Sequence, residues 1–547
     1  MDLTDLRVVS LDDKYTLDQG RVFLTGIQAL TRLPMMQRLR DEKAGHNTAG
    51  YISGYRGSPL GTYDQQLWQA KTLLEQHHIK FQPGVNEELA ATACWGTQQA
   101  QMRGEGKYDG VFAIWYGKGP GVDRTGDAFK HGNNAGTSPL GGVLALLGDD
   151  HTAESSTAAH SSEYAMVDAM MPILNPAGVQ EILDYGIYGF ALSRYSACWV
   201  GIKCVHDTVN TAATVDVDNH RIQIQIPTDF TPPPDGLHLR WPDTARAQEA
   251  RLHNFKHDAV RAFARANQLD KTIIDSAHAK IGIVATGKSY LDTRTAFDLM
   301  GLDEAQLSKL GVRLYKVALV YPLEPVGIKQ FVEGLDLVIC IEEKRGIIES
   351  QLKEILYGMP NAPRVIGKQD ENGAPLFMSS GALDANHIAG VLGRRIAQYQ
   401  SDPALLETIA RCEKLFAGEQ HSGPGPVRTP HFCPGCPHNT GTKIPEGSMA
   451  MAGIGCHFMA AWMDRNTIGF TQMGAEGAGW MGEAPFSKTK HVFQNIGDGT
   501  YYHSGLLAIR AVAASGVNVT YKILYNDAVA MTGGQQHDGP LTVPQIT

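Results

Sequence analysis

Cysteine is scarce in this chain: eight residues in 547, too few and too scattered for a disulfide framework. In so long a sequence, close cysteine pairs read instead as metal-binding or redox sites of a reducing compartment. Long apolar runs are missing as well, and none approaches the roughly 20 residues needed to cross a bilayer. The first five residues, Met1-Asp2-Leu3-Thr4-Asp5, are acidic where a secretory signal would be basic and then apolar. The third absence is basic excess. With 48 Lys and Arg against 57 Asp and Glu, the formal charge is −9, which offers no positive field to nucleic acid or to an anionic membrane surface. No internal repeat or low-complexity tract is visible. These absences predict a large cytoplasmic protein, and the length predicts several domains, since single cores stop growing near roughly 250–300 residues.

What is present is α/β patterning. Across residues 15–225, apolar runs at 51–55, 111–115 and 143–147 each end in a turn: Gly57-Ser58-Pro59, the Gly-rich 117–121, and Gly148-Asp149-Asp150. Such runs, each followed by a turn and a helix, predict a parallel sheet whose ligands sit at the carboxyl ends of its strands. Residues 226–275 read as a linker with helices, punctuated by Thr231-Pro232-Pro233-Pro234-Asp235-Gly236. A second α/β unit covers 276–400, with strands at 280–287, 312–317 and 337–341, and the Gly/Pro stretch 422–430 reads as a second linker. The third unit, 427–547, has a strand at 492–496, a helix at 502–514 and a strand at 519–525. Such a sheet needs further strands to cover both faces, so this unit reads as incomplete at its C-terminal end.

The most specific chemistry lies in the third unit. Gly497-Asp498-Gly499 follows one strand, and Asn526 follows the next. In a right-handed strand–helix–strand unit both side chains emerge at the same sheet edge. A carboxylate, an amide oxygen and a backbone carbonyl near Ala528 suit a six-coordinate Mg²⁺ that also takes diphosphate oxygens, and backbone N–H groups at Gly499 would face the anion. An Asp-Gly turn with an unrelated Asn is the bland alternative. Upstream, Cys433-Pro434-Gly435-Cys436-Pro437-His438 and Gly453-Ile454-Gly455-Cys456-His457 hold the close cysteines. A zinc knuckle with His438, a dithiol pair, plain structural cysteines and an iron–sulfur cluster all fit a CxxC turn. Cys94, Cys198, Cys204 and Cys340 sit in apolar stretches and read as core residues.

The Asp498–Asn526 spacing resembles the thiamine diphosphate motif of the transketolase and decarboxylase superfamily. The extension through Thr532-Gly533-Gly534-Gln535 is similar to the 2-oxoacid:ferredoxin oxidoreductases, with Gly533 and Gln535 joining the cofactor contacts. Met531, where pyruvate-type members have Asn, resembles the indolepyruvate type and implies a larger apolar substrate pocket. The motifs GYRGSPLG, GVNEELA, VICIEEKRGIIESQLKEIL, FCPGCPHNTGTK and GIGCHFMA follow the order of that family, closest to its long fused bacterial type. The resemblance implies two thiamine domains, pyrimidine-binding at 15–225 and diphosphate-binding at 427–547, with a transketolase C-terminal-like domain at 276–400 between them. It implies a [4Fe–4S] cluster on Cys433, Cys436 and Cys456, whose fourth ligand lies downstream of the Mg²⁺ motif in relatives. No cysteine follows Cys456 here, and Cys412 is a poor substitute because its neighbours read as an exposed helix.

A carboxylate must activate the cofactor's aminopyrimidine so that it removes the thiazolium C2 proton. Glu87, in Gly84-Val85-Asn86-Glu87-Glu88, matches the family's activating glutamate, with Glu88 as fallback; helix N-terminal acids favoured by the dipole are the bland alternative. Ser58 matches a residue that hydrogen-bonds substrate or cofactor. Lys118 or Arg124 would hold a substrate carboxylate, although surface charge on a loop explains them too. Residues 159–163 suggest a site or a helix start capped by Ser161 or Ser162. The implied reaction is oxidative decarboxylation of an aryl 2-oxoacid, indolepyruvate, to its acyl-CoA, with ferredoxin as electron acceptor and a homodimer as the assembly. Another 2-oxoacid, non-oxidative decarboxylation, and a zinc-bound assembly module are the competing readings.

Overall fold

The computed structural model describes residues 9–399, 403–421 and 431–547, so the linker read at 422–430 lies outside the described residues. The chain divides into two units, Met1–Gln82 with Ala90–Ser422, and Pro83–Leu89 with Gly423–Thr547.

The first unit is built on a seven-stranded sheet in the order Leu319–Tyr321, Ile173–Leu174, Val200–Val205, Val143–Asp149, Val111–Lys118, Ala49–Gly54, Ile79–Phe81. Every neighbouring pair is parallel except the first, which is antiparallel. Continuous apolar runs become central strands because both faces must be covered. Phe112, Ile114 and Tyr116 enter one core with Leu144 and Leu146, while Ala113 and Trp115 enter another with Val143, Ala145 and Leu147. Helices Gly26–Lys43 and Val179–Ser196 contribute to the first of these cores. Thr25 starts the former helix with a capping box, accepting from the Gln28 N–H at 3.1 Å while the Gln28 side chain accepts from the Thr25 N–H at 3.0 Å.

A second sheet of the same unit runs Arg364–Ile366, Leu337–Ile341, Ile281–Thr286, Val312–Val317, Lys271–Ile274, all parallel but the last. Its residues alternate too: Val284, Val338 and Cys340 share the core of Trp115, whereas Ile281, Ile283 and Ile339 face helices Gly287–Met300 and Ala385–Tyr399. The stretches read as 15–225 and 276–400 are therefore joined, since Leu319–Tyr321 completes the edge of the first sheet. Between them, the Pro-rich segment has no regular structure at 231–236, and helices Ala245–Arg251 and His257–Ala266 follow it. No helix among the described residues is long and apolar enough to cross a membrane.

The second unit holds a four-stranded parallel sheet, ordered Thr467–Ile468, Ala450–Met451, Val492–Gly497, Val519–Leu524. The helix read at 502–514 is regular from Leu506 to Ser515, but its first turn, Tyr501–Gly505, is π-helical.

Candidate active site

Strands Val492–Gly497 and Val519–Leu524 run parallel with Gly497 opposite Leu524, so Asp498 and Asn526 emerge from the same sheet edge. Asp498 is 2% exposed. Its Oδ2 accepts from the backbone N–H groups of Asn526 at 3.0 Å and Asp527 at 2.7 Å, and its Oδ1 from that of Gly499 at 2.9 Å. The Gly499 N–H, read from sequence as facing an anion, is thus turned onto Asp498. His537 Nε2 lies 3.2 Å from Oδ2. Burial opposes ionisation of Asp498, but His537 and the N–H groups of Asn526 and Asp527 outweigh it and hold the carboxyl below its usual range.

Asn526 satisfies its surroundings with its amide nitrogen inward, donating to Asp498 Oδ1 at 3.1 Å and to the Ala528 carbonyl at 3.0 Å. A half-turn of that amide presents three oxygens, from Asp498, Asn526 and Ala528, to one centre. That donor set fits a hard six-coordinate cation with positions left for phosphate oxygens. Beside it, the His457 ring packs so closely on Gly497 that a Cβ there would sit 3.2 Å from His457 Cε1. Burial and the neighbouring His438 push the His457 pKa down to about 3, and its buried Nε2 has no partner among the described residues. The ring meets Gly497 through Cε1 and Nδ1 while the orphaned Nε2 is turned toward Gly453, and an unpaired buried nitrogen is what a polar ligand would satisfy.

The segment after Asn526 closes on itself. Val529 and Gln535 exchange backbone hydrogen bonds of 2.8 and 3.2 Å, across a turn in which Gly533 has φ +99° and Gly534 φ +69°. Those left-handed values explain paired glycines there. Gln535 Nε2 donates to the Thr532 carbonyl at 2.9 Å, and Met531 on this hairpin is 61% exposed.

Glu87 is buried in the first turn of helix Glu87–Gln98, whereas Glu88 is half-buried. Glu87 Oε2 lies 2.6 Å from His503 Nε2, and His503 Nδ1 lies 2.6 Å from Ser504 Oγ. Asn86 Oδ1 accepts from the Leu89 N–H at 3.0 Å, an N-cap contact, while its Nδ2 donates to the His503 carbonyl at 3.2 Å. The sequence reading assigned no role to His503, His537 or Asn86. The N-cap was readable from Asn before two acids; the pairing with residue 503 was not, since 416 positions separate the partners.

Cys433 is exposed, and Cys436 and Cys456 are half-buried, all as free thiols. The Cys436 N–H donates to the Cys433 carbonyl at 3.0 Å, closing the turn around Gly435 with φ +77°. Burial, then the thiols of Cys436 and Cys433, raise the Cys456 thiol pKa. Among the described residues, no group of three or more His, Cys, Asp or Glu side chains is drawn together as a metal site. Cys412 is buried in the core of the second sheet, and Cys94, Cys198, Cys204 and Cys340 are buried as well.

In the first unit, Ser58 is half-buried in the turn after strand Ala49–Gly54. Lys118 ends its strand and donates to the Ser155 carbonyl at 2.5 Å, and burial lowers its pKa. The stretch read as a Gly-rich loop is in fact the short helix Gly119–Arg124, with Pro120 preset for its first turn and Arg124 half-buried at its end. Ser162 does not cap helix Glu163–Asp168: its hydroxyl and N–H go to Asp149 at 2.5 and 3.0 Å. Asp149 also faces His160 Nδ1 at 3.3 Å and Lys203 at 3.6 Å, and Lys203 pairs with Glu163.

The domain family described as "Indolepyruvate oxidoreductase domain" matches residues 271–417, and "Thiamine pyrophosphate enzyme, C-terminal TPP binding domain" matches 449–543. The chain is 22% identical over 543 residues to the indolepyruvate oxidoreductase subunit IorA of Methanothermobacter marburgensis, covering 97% of this chain and 79% of that protein. It is 23% identical over 552 residues to the Pyrococcus abyssi subunit of that name, covering 96% and 77%. Among solved structures, it is similar to the 2-oxoglutarate:ferredoxin oxidoreductase of Magnetococcus marinus, determined with 2-oxoglutarate, coenzyme A and succinyl-CoA bound. The TM-score is 0.50 and the identity 13%, over 69% of this chain and 65% of that one. The α/β fold, the match to a thiamine pyrophosphate-binding C-terminal domain and relatives of one kind along nearly its whole length agree: this chain is similar from end to end to the indolepyruvate oxidoreductase subunits, and its fold to a 2-oxoacid:ferredoxin oxidoreductase.

Proposed function

We propose that this chain catalyses the oxidative decarboxylation of an aryl 2-oxoacid, with indolepyruvate as substrate, coenzyme A as acyl acceptor and ferredoxin as electron acceptor. The observation that carries the reading is the convergence of Asp498, Asn526 and the Ala528 carbonyl at the edge of a parallel sheet. The relatives' names support the substrate, and the ligands of the M. marinus structure support coenzyme A.

Bound thiamine diphosphate supplies the sink for the electron pair left when a carboxylate departs as CO₂. Asp498, Asn526 and the Ala528 carbonyl would hold Mg²⁺, and the hairpin carrying Gly533, Gly534 and Gln535 follows them directly in the chain. Glu87, kept from bulk water by burial, would share a proton with the aminopyrimidine ring, a task that suits a buried carboxylate. Lys118 or Arg124 takes the substrate carboxylate, Ser58 hydrogen-bonds substrate or cofactor, and Met531 offers an apolar side chain to the aryl ring. Cys433, Cys436 and Cys456 would supply three ligands of a [4Fe–4S] cluster, a group that would provide one-electron chemistry toward ferredoxin. In balance, one 2-oxoacid, one thiol and two oxidised ferredoxins give one acyl-CoA, CO₂, a proton and two reduced ferredoxins. In domain terms, 15–225 binds the pyrimidine half, 427–547 the diphosphate half, and 276–400 is the transketolase C-terminal-like domain.

The test is an anaerobic assay of the purified protein with indolepyruvate, thiamine diphosphate, Mg²⁺, coenzyme A and a viologen dye, with iron measured on the same sample. Dye reduction that needs both coenzyme A and thiamine diphosphate is the expected result, faster with indolepyruvate than with pyruvate. CO₂ release without dye reduction would instead make the chain a non-oxidative decarboxylase.

A further inference from the structure

His503 stands one hydrogen bond behind the carboxylate read above as cofactor-activating. Its Nε2 meets Glu87 Oε2 at 2.6 Å, and its Nδ1 meets Ser504 Oγ at 2.6 Å. The His503 side chain is 2% exposed and that of Glu87 9%, so water does not orient either. The main chain is tied as well: Asn86, one residue before Glu87, donates to the His503 carbonyl at 3.2 Å and caps the helix that begins with Glu87. Two connections, one between the Glu87 and His503 side chains and one from the Asn86 side chain to the His503 backbone, thus fix a single helical turn against residue 503. That residue lies in the π-helical turn Tyr501–Gly505, a departure from α-helix that recurs at functional sites and re-aims side chains. Room for the arrangement is built in. Gly474 has φ +90°, and a Cβ there would lie 1.9 Å from Ser504 Oγ.

A buried carboxylate needs a donor whatever its task, so the choice of donor carries the information. Lys or Arg at 503 would fix a full positive charge on Glu87 and depress its basicity. An imidazole that meets Glu87 through Nε2 and Ser504 Oγ through Nδ1 orients the carboxylate without the permanent positive charge of Lys or Arg. That suits a glutamate that must share a proton rather than surrender it.

We infer that His503 is a positioning residue for Glu87, holding its carboxylate in the orientation that serves the aminopyrimidine of thiamine diphosphate. This rests on the reading of Glu87 as the activating group. Misplacing a reacting group by an ångström costs up to about a hundredfold, which sets the size of the effect.

The experiment compares the wild-type holoenzyme with His503→Leu, His503→Gln and Glu87→Gln. It measures deuterium exchange at C2 of the bound cofactor, the near-ultraviolet circular dichroism of its aminopyrimidine, and the Kd for thiamine diphosphate. Glu87→Gln is expected to abolish the enzyme's acceleration of exchange. His503→Leu should slow exchange by about tenfold or more with Kd nearly unchanged, and His503→Gln, which keeps a donor, should recover most of the rate. Wild-type exchange in His503→Leu, with Glu87→Gln slow, overturns the inference alone. A weakening of Kd in His503→Leu that matches the loss of exchange reduces His503 to a structural role and also overturns it. Wild-type exchange in Glu87→Gln removes the assignment of Glu87 and this inference with it.

Discussion

Replacing Asp498 with Asn tests the cation cradle with the smallest change in shape. The carboxylate takes three backbone N–H groups, two on Oδ2 and one on Oδ1. An amide offers a single acceptor oxygen. Its better orientation keeps that oxygen toward Asn526 and Asp527 and turns the NH₂ onto the Gly499 N–H, leaving that donor unpaired. One unpaired donor at the half-buried Gly499 costs about 1 kcal/mol, and the two retained bonds each lose roughly half their strength, about 1 kcal/mol, when the acceptor is no longer charged. The local loss is therefore about 3 kcal/mol even before the cation is considered. If the bound state needs this loop in place, that loss weakens cofactor binding by about two orders of magnitude, and losing an anionic ligand to Mg²⁺ adds to it. The assay is Mg²⁺-dependent binding of thiamine diphosphate, followed by equilibrium dialysis on the wild type and Asp498→Asn. A Kd within about threefold of wild type would refute the assignment of Asp498 as the centre of the cradle.

Three further outcomes are expected. Gly534→Ala places a Cβ in open space but at φ +69°, so it should cost about 1–2 kcal/mol through backbone strain alone, read as a lower melting temperature together with weaker thiamine diphosphate binding. Replacing Cys436 with Ser should remove iron from the purified protein while leaving thiamine diphosphate affinity unchanged; retention of full iron would place the cluster elsewhere. His160 supplies a pH signature. Burial disfavours its protonation, but Asp123 and Asp149 outweigh burial and raise its pKa to about 9. A folded-state pKa above the unfolded value near 6.5 gives stability that is complete below 6.5 and lost as pH rises through 9. Thermal melts should therefore fall across that window, and His160→Gln should flatten the fall; an equal slope in the variant would count against the His160 contacts.

Local information explains what the sequence made legible. Strands Val312–Val317 and Leu337–Ile341 coincide with the apolar runs read at 312–317 and 337–341, because a strand covered on both faces has nothing else to display. Asp498 and Asn526 were readable because two parallel strands carry them to one edge. Less visible was the π-helical turn at Tyr501–Gly505, since its i→i+5 pairing leaves no periodicity over so few residues. Ser162 looked like a cap by composition, yet Asp149 competes for its hydroxyl from a strand end. Glu87 was located by motif, but its partner His503 is set by tertiary structure. The short helix Gly119–Arg124 was missed because three of its first positions are Gly or Pro, which read as a loop until Pro120 is seen at a helix start.

Strand Leu319–Tyr321 gives the first sheet its last edge, and this has a temporal meaning. The strand it pairs with, Ile173–Leu174, lies about 150 positions earlier in the chain. A growing polypeptide therefore holds an open, apolar strand edge for as long as the intervening stretch takes to emerge. At roughly 5–20 residues per second, that interval is about 7–30 s. Ribosome-bound chains arrested short of Leu319 should accordingly be the species that recruits chaperones, and release of those chaperones should follow the emergence of three residues.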